Sequence, residues 1–270
     1  MNNFNLDNKL VNQINSHGIA KVRNFLDFDE IKDVKEILNF YKKPKAHPDT
    51  IFPVKTTNYL VKLLKLDIRK ILFSLKLNQI CKKKKLMELS DEFFKTSSKL
   101  NMIDGYYAKK SNANILEWHC DQPFFIDDKI ENRHDNRSLK VFIYLTKVFK
   151  DNGCMSYIPG SQKFVYQIKK LIFEKKIPLI KLKFLSDLNS WLDNKYNFEL
   201  IQKNIDNEIL NDFLKSINFL KNNKDTNQFD YDMNEGDAII FDENGFHKGT
   251  KTLFTDRLVL RYHFSRKSKI

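Results

Sequence analysis

The stretch GDAIIFDENGFHKGTKTLFTDRLVLRYHFS, residues 236–265, decides the fold. Its two ends, GDAIIFD (236–242) and RLVLRYHFS (257–265), are short runs of β-branched and aromatic residues bounded by turn residues, and they read as strands. Working outward, residues 139–149 alternate Leu139, Val141, Ile143 and Leu145 with Lys140, Phe142, Tyr144 and Thr146. Side chains on a strand point to opposite faces with period two, so this run predicts a third, half-buried strand. The β-type texture begins near residue 101.

The flanking sequence is helical. Residues 25–41 place Phe25, Phe28, Ile31, Val34, Ile37, Leu38 and Tyr41 at helical spacing, and Asp27 with Glu30 forms a capping box. Prolines 44, 48 and 53 interrupt the pattern, which returns over 58–100 around a Lys82–Lys85 run expected to be a solvated face. Residues 164–223 contain no glycine and are rich in Leu, Ile and Lys. They are expected to form a helical insertion or lid, spanning 164–230, because a plain connection would not be that long. Helices followed by short strands predict an α+β chain with a β-sandwich or jelly-roll core. With no repeat or linker to divide it, 1–270 reads as a single domain.

The chain carries 47 Lys+Arg against 34 Asp+Glu, a formal charge of +13. Only seven of those cations are Arg (23, 69, 133, 137, 257, 261 and 266). Nucleic-acid readers depend on the bidentate guanidinium, so a Lys-dominated excess reads as surface coating and points away from nucleic acid. Cys81, Cys120 and Cys154 are widely spaced and support neither a disulfide framework nor a thiolate zinc site. The N-terminal residues lack the apolar core of a signal peptide, and no run approaches a membrane span, so a cytoplasmic protein is expected.

The chemistry centres on His119, Cys120 and Asp121. On a strand, residues i and i+2 share a face, so an H-x-D triplet converges an imidazole and a carboxylate. That is two thirds of the 2-His-1-carboxylate facial triad, which holds non-haem Fe(II) and leaves positions open. Alone the triplet is weak evidence, since His47-Pro48-Asp49 repeats it. Proline inside that second copy argues against a rigid strand there. A distant third ligand is supplied by His247, just past GDAIIFD, and ten residues later comes Arg257, whose planar fork suits a carboxylate. Arg261 and His263 share the strand face of Arg257. His17, His134 and His263 carry no metal signal of their own. Five of the seven glycines (153, 160, 236, 245 and 249) fall in two short stretches around these motifs, which marks tight turns or close backbone approach.

WHCDQP (118–123), VFIYLTKVFKDNGCMSYIPGSQK (141–163), GDAIIFDENGFHKGTKTLFTDR (236–257) and the opening GIAKVRNFLDFDEI (18–31) together resemble the phytanoyl-CoA dioxygenase family. The resemblance implies a double-stranded β-helix (jelly-roll, cupin-like) core and an enzyme that uses Fe(II), 2-oxoglutarate and O2. It makes His119, Asp121 and His247 the metal ligands and Arg257 the partner of the cosubstrate's distal carboxylate, with Lys140 as a candidate second contact. The histidine usual in the PGSH turn is Gln162 here. Because Asp121 retains the carboxylate that related halogenases lack, hydroxylation of a small molecule with release of succinate and CO2 is the implied reaction, and the lysines of the 164–230 segment would suit an anionic substrate. The alternatives are a nucleic-acid-directed oxygenase, whose usual arginine spacing Arg257 and Arg261 do not match, and a non-catalytic jelly-roll binding protein.

Overall fold

The computed structural model describes residues 8–42, 50–53, 68–121, 137–180, 183–223 and 227–267. These form eight helices and ten strands. The N-terminal half contributes α1 (Asn8–His17), β1 (Ile19–Val22), α2 (Phe28–Tyr41), β2 (Thr50–Pro53), α3 (Ile68–Lys83) and α4 (Leu86–Phe94). Next come β3 (Ser98–Ala108), β4 (Leu116–His119), β5 (Ser138–Tyr144) and β6 (Met155–Tyr157). Four helices follow: α5 (Ser161–Phe173), α6 (Leu185–Leu192), α7 (Lys195–Asn204) and α8 (Asn207–Asn222). The chain closes with β7 (Asp230–Tyr231), β8 (Ala238–Asp242), β9 (His247–Gly249) and β10 (Arg257–Arg266). The second H-x-D triplet at 47–49, Phe124, Phe125 and His134 lie outside the described residues.

All strand pairs in both sheets are antiparallel. The larger sheet runs β1-β8-β5-β10-β3-β2 and the smaller β4-β9-β6-β7. The three strands read from sequence, β5, β8 and β10, are adjacent at the centre of the larger sheet. This position corrects one expectation. β5 is buried on both faces rather than one and ends at Tyr144. Leu139, Val141 and Ile143 pack into a cluster with α1 to α4, while Phe142 and Tyr144 pack with Met155 and Tyr157 of the smaller sheet. A strand with a core on each side shows continuous burial, and the alternation then separates two cores instead of core from water.

The capping box forms as expected: the Asp27 carboxylate accepts from the Glu30 N–H and the Glu30 carboxylate from the Asp27 N–H, each at 2.9 Å. Lys82, Lys83 and Lys85 of the lysine run are exposed as expected, and Lys84 departs from the expectation. The corner between α3 and α4 turns at Lys85 with φ +49, and Lys84 is buried, its ammonium 2.9 Å from Glu30 and over the Phe25 ring. Lys84 thus ties this corner to the start of α2 instead of facing water.

The 161–222 helices build a core of their own. Phe164 stacks on Phe213 with centroids 4.0 Å apart, and Phe213 contacts Phe246. Cys120, Ile158 and Phe246, next to the ends of β4, β6 and β9, complete this cluster and join the helices to the smaller sheet. Among the described residues no helix is long and apolar enough to cross a membrane.

Candidate metal centre

Strand pairing brings the two histidines together. β4 and β9 run antiparallel with His119 directly opposite His247, and their rings lie 4.3 Å apart. Asp121 reaches them differently from the simple strand reading. β4 ends at His119, and the chain bends so that the Cys120 N–H donates to the Lys183 carbonyl and the Asp121 N–H to the Glu243 carbonyl, both at 3.0 Å. The bend delivers the carboxylate to the same point: Asp121 Oδ1 is 3.3 Å from His119 Nε2 and Oδ2 is 3.2 Å from His247 Nε2. One ligand atom from each of the three residues lies within 4.8 Å of the others.

The imidazoles are set for coordination by main-chain carbonyls. His119 Nδ1 is 2.7 Å from the Glu117 oxygen and His247 Nδ1 is 2.9 Å from the Gly245 oxygen. A carbonyl only accepts, so each Nδ1 carries the hydrogen and each Nε2 turns its lone pair toward Asp121. Burial, with His247 close by, lowers the His119 pKa and favours the neutral ring that a metal requires. Burial opposes ionisation of Asp121, but its charged surroundings, the Lys140 ammonium first among them, outweigh it and hold the carboxyl well below the usual range. Two imidazoles and one carboxylate on a single face are the donor set that suits Fe(II). The residues present therefore fit that ion.

These groups border a cavity of about 390 Å³ that also receives Arg257, Arg261 and His263 from β10. The two arginines differ in state. Arg261 is paired, donating from Nε and Nη2 to the two oxygens of buried Asp104 at 2.7 Å each, with His263 Nε2 at 3.4 Å from the same carboxylate. Arg257 is buried between the rings of Tyr106 and Tyr144, and its Nε makes no hydrogen bond among the described residues. Close backbone approach lets it lie there: a Cβ on Gly153 would come within 3.0 Å of Arg257 Cδ. A buried guanidinium with an unused donor in a cavity is a site for an anion.

Lys140 also borders the cavity, held between Asp121 Oδ2 and Glu243 Oε2. Burial lowers its pKa, but Glu243 and then Asp121 more than restore it, and the net direction is upward. Sequence reasoning missed Asp104 and Glu243. Asp104 had a signal, since it shares the Met102/Asp104/Tyr106 face of β3 and pairs in register with Arg261. Glu243 had none, because it sits in a turn with no periodicity to place it.

A sequence comparison with curated proteins finds no match. Among solved structures, the chain is similar to HygX from Streptomyces hygroscopicus with nickel and 2-oxoglutarate bound, at 12% identity and a TM-score of 0.59 over 97% of this chain and 88% of that one. It is similar to the epimerase SnoN of nogalamycin biosynthesis in complex with Fe3+, α-ketoglutarate and nogalamycin RO, at 11% identity and a TM-score of 0.55 over 96% and 82%. It is also similar to the carbocyclase SnoK of nogalamycin biosynthesis, at 12% identity and a TM-score of 0.53 over 97% and 85%. At such identities these likenesses concern the fold. The phytanoyl-CoA dioxygenase (PhyH) family model matches residues 14–253, and with that span the chain belongs to the phytanoyl-CoA dioxygenase family of Fe(II)- and 2-oxoglutarate-dependent enzymes.

Proposed function

We propose that this enzyme hydroxylates a small molecule, with His119, Asp121 and His247 holding Fe(II) and Arg257 receiving the distal carboxylate of 2-oxoglutarate. The observation that carries the reading is the single cavity that contains both the convergent donor set and a buried guanidinium with an open Nε. Bound there, iron with 2-oxoglutarate and O2 supplies the oxidising equivalent for a C–H bond while the cosubstrate is converted to succinate and CO2.

The chain's own residues then have defined tasks. The Glu117 and Gly245 carbonyls fix the imidazole tautomers, and the placement of His119 opposite His247, just past an irregularity in the β4–β9 register, fixes the separation of the rings. Arg257 selects a dianionic cosubstrate by charge and by its fork, at a depth from which water is largely excluded. We read the two antiparallel sheets, facing each other across a shared apolar cluster, as the halves of a double-stranded β-helix within one domain spanning 1–270. None of the described residues of α5 to α8 lines the cavity, so we assign the 164–230 insertion the task of backing Cys120 and Phe246 beside the ligands.

Two features support a small and anionic substrate. HygX has also been solved with hygromycin B bound, and SnoN with nogalamycin RO, both small molecules. In this chain Lys248 stands at the cavity wall over the Trp118 ring and would attract an anion. Hydroxylation is the simplest outcome for a site that retains Asp121; SnoN and SnoK, an epimerase and a carbocyclase, indicate the other outcomes that product analysis has to separate. The test is succinate release by the Fe(II)-loaded protein across acyl thioesters, amino acids, phosphonates, sugars and secondary metabolites, with mass analysis of the product. A gain of one oxygen atom in a stimulating compound is expected. A product with two hydrogens fewer, or of unchanged mass, would overturn hydroxylation, and an absence of succinate from every incubation would overturn the enzyme reading.

A further inference from the structure

Lys140 stands at the centre of the larger sheet, paired across β10 with His263 and across β8 with Phe241. Its ammonium bridges two carboxylates, donating to Asp121 Oδ2 and lying 3.0 Å from Glu243 Oε2. The same two residues are joined through the main chain by the Asp121 N–H and the Glu243 carbonyl. Asp121 is therefore fixed at its backbone and at one side-chain oxygen.

That fixation bears on coordination. Oδ1 faces His119 Nε2 and Oδ2 faces His247 Nε2, so both oxygens lie within reach of an ion centred among the three residues. A carboxylate that gripped the ion with both oxygens would occupy one of the positions a facial triad leaves open for cosubstrate and O2. A cation hydrogen-bonded to one oxygen disfavours that grip. Partners of this kind, one step removed from the metal, orient its ligands and tune its affinity.

We infer that Lys140 is a positioning residue that holds Asp121 Oδ2 and so keeps Asp121 a one-oxygen ligand through Oδ1, with Glu243 holding Lys140 in place. The inference rests on the iron-site reading above. It gives Lys140 a different task from that of a second cosubstrate contact: its ammonium already serves two carboxylates, whereas Arg257 keeps an unused Nε for 2-oxoglutarate.

The test uses Co(II) as the probe ion, with visible absorption reporting coordination and calorimetry of the Co(II)-loaded protein reporting 2-oxoglutarate affinity. Lys140→Met is expected to change the Co(II) bands, Lys140→Arg to retain the wild-type bands, and the 2-oxoglutarate Kd of Lys140→Met to move by less than about threefold. Glu243→Gln is expected to change the bands in the same direction and carries the comparison should Lys140→Met not fold. Unchanged bands in Lys140→Met or Glu243→Gln, with a Kd for 2-oxoglutarate weakened about tenfold or more in the Lys140 variant, would overturn the inference and make Lys140 a cosubstrate contact. Failure of the wild-type protein to take up Co(II) would instead remove the metal-site reading on which it stands.

Discussion

His119 and His247 face each other in register across β4 and β9, with their rings 4.3 Å apart. The separation of these two candidate ligands, which lie far apart in the chain, is thereby set by backbone pairing between strands. A shift of one residue in this pairing would turn one imidazole to the opposite face. The turns that enter β9 and leave β4 therefore matter as much as the ligands themselves.

Gly245 is one such turn residue. Its carbonyl accepts from His247 Nδ1, and a Cβ at this position would run into the hydroxyl and ring of buried Tyr157. Gly245→Ala is expected to cost about 1–3 kcal/mol of stability through overpacking and to weaken metal binding by moving His247. Thermal unfolding and metal titration of the same variant check both effects. Wild-type metal affinity in a destabilised Gly245→Ala protein would separate the turn from the site.

Arg257→Ala is expected to leave metal uptake intact and weaken 2-oxoglutarate binding. A hydrogen bond to a charged group contributes about 1.5–3 kcal/mol, which corresponds to roughly one to two orders of magnitude in Kd. Arg257→Lys should restore only part of it, since a point charge cannot reproduce the fork. Calorimetric titration of the metal-loaded variants with 2-oxoglutarate decides the matter. Equal affinities in wild type and Arg257→Ala would exclude Arg257 from the cosubstrate site.

Asp104 underlies a different expectation. It is fully buried and accepts both donors of the Arg261 fork, so Asp104→Ala strands a cation in the interior. Losing one partner of a buried pair costs about 3–5 kcal/mol, and chemical denaturation should register that loss. A change confined to activity, with an unaltered denaturation midpoint, would show that the pair is not structural.

Lys169 gives a pH dependence. Burial lowers its pKa from 10.5 to about 8, while its ammonium donates to the Asn244 side chain at 2.6 Å. Between those two values the unfolded chain binds the proton and the folded chain does not, so this group's contribution raises stability as pH climbs from about 8 toward 10.5. Below about pH 8 the folded protein bears the full penalty of the buried charge. The difference in unfolding free energy between wild type and Lys169→Met, followed across this window, should therefore shift in favour of wild type with rising pH. A flat difference would contradict it.

Much of this was legible in the sequence, and the exceptions have physical causes. The positions of His247 and Arg257 could be read because Ala238 to Asp242 before the one and Leu258 to Phe264 after the other are strand-forming residues with fixed faces. The capping box at Asp27 and Glu30 could be read because it is local. Burial of both faces of β5 could not, since Lys140 on the alternate face looks solvent-seeking until Asp121 and Glu243 are known to flank it. Lys84 was misjudged for the same reason: its partner Glu30 is remote in sequence. Asp121 lies at a bend held by the Glu243 carbonyl, a contact between distant turns that periodicity does not encode.

The central claim, that His119, Asp121 and His247 hold Fe(II) for 2-oxoglutarate, is tested most directly by anaerobic titration of the protein with Fe(II) and 2-oxoglutarate, followed by visible absorption. A metal-to-ligand charge-transfer band is expected in the wild type and should be absent from His247→Ala. No band in the wild type at saturation, or an undiminished band in His247→Ala, would contradict it.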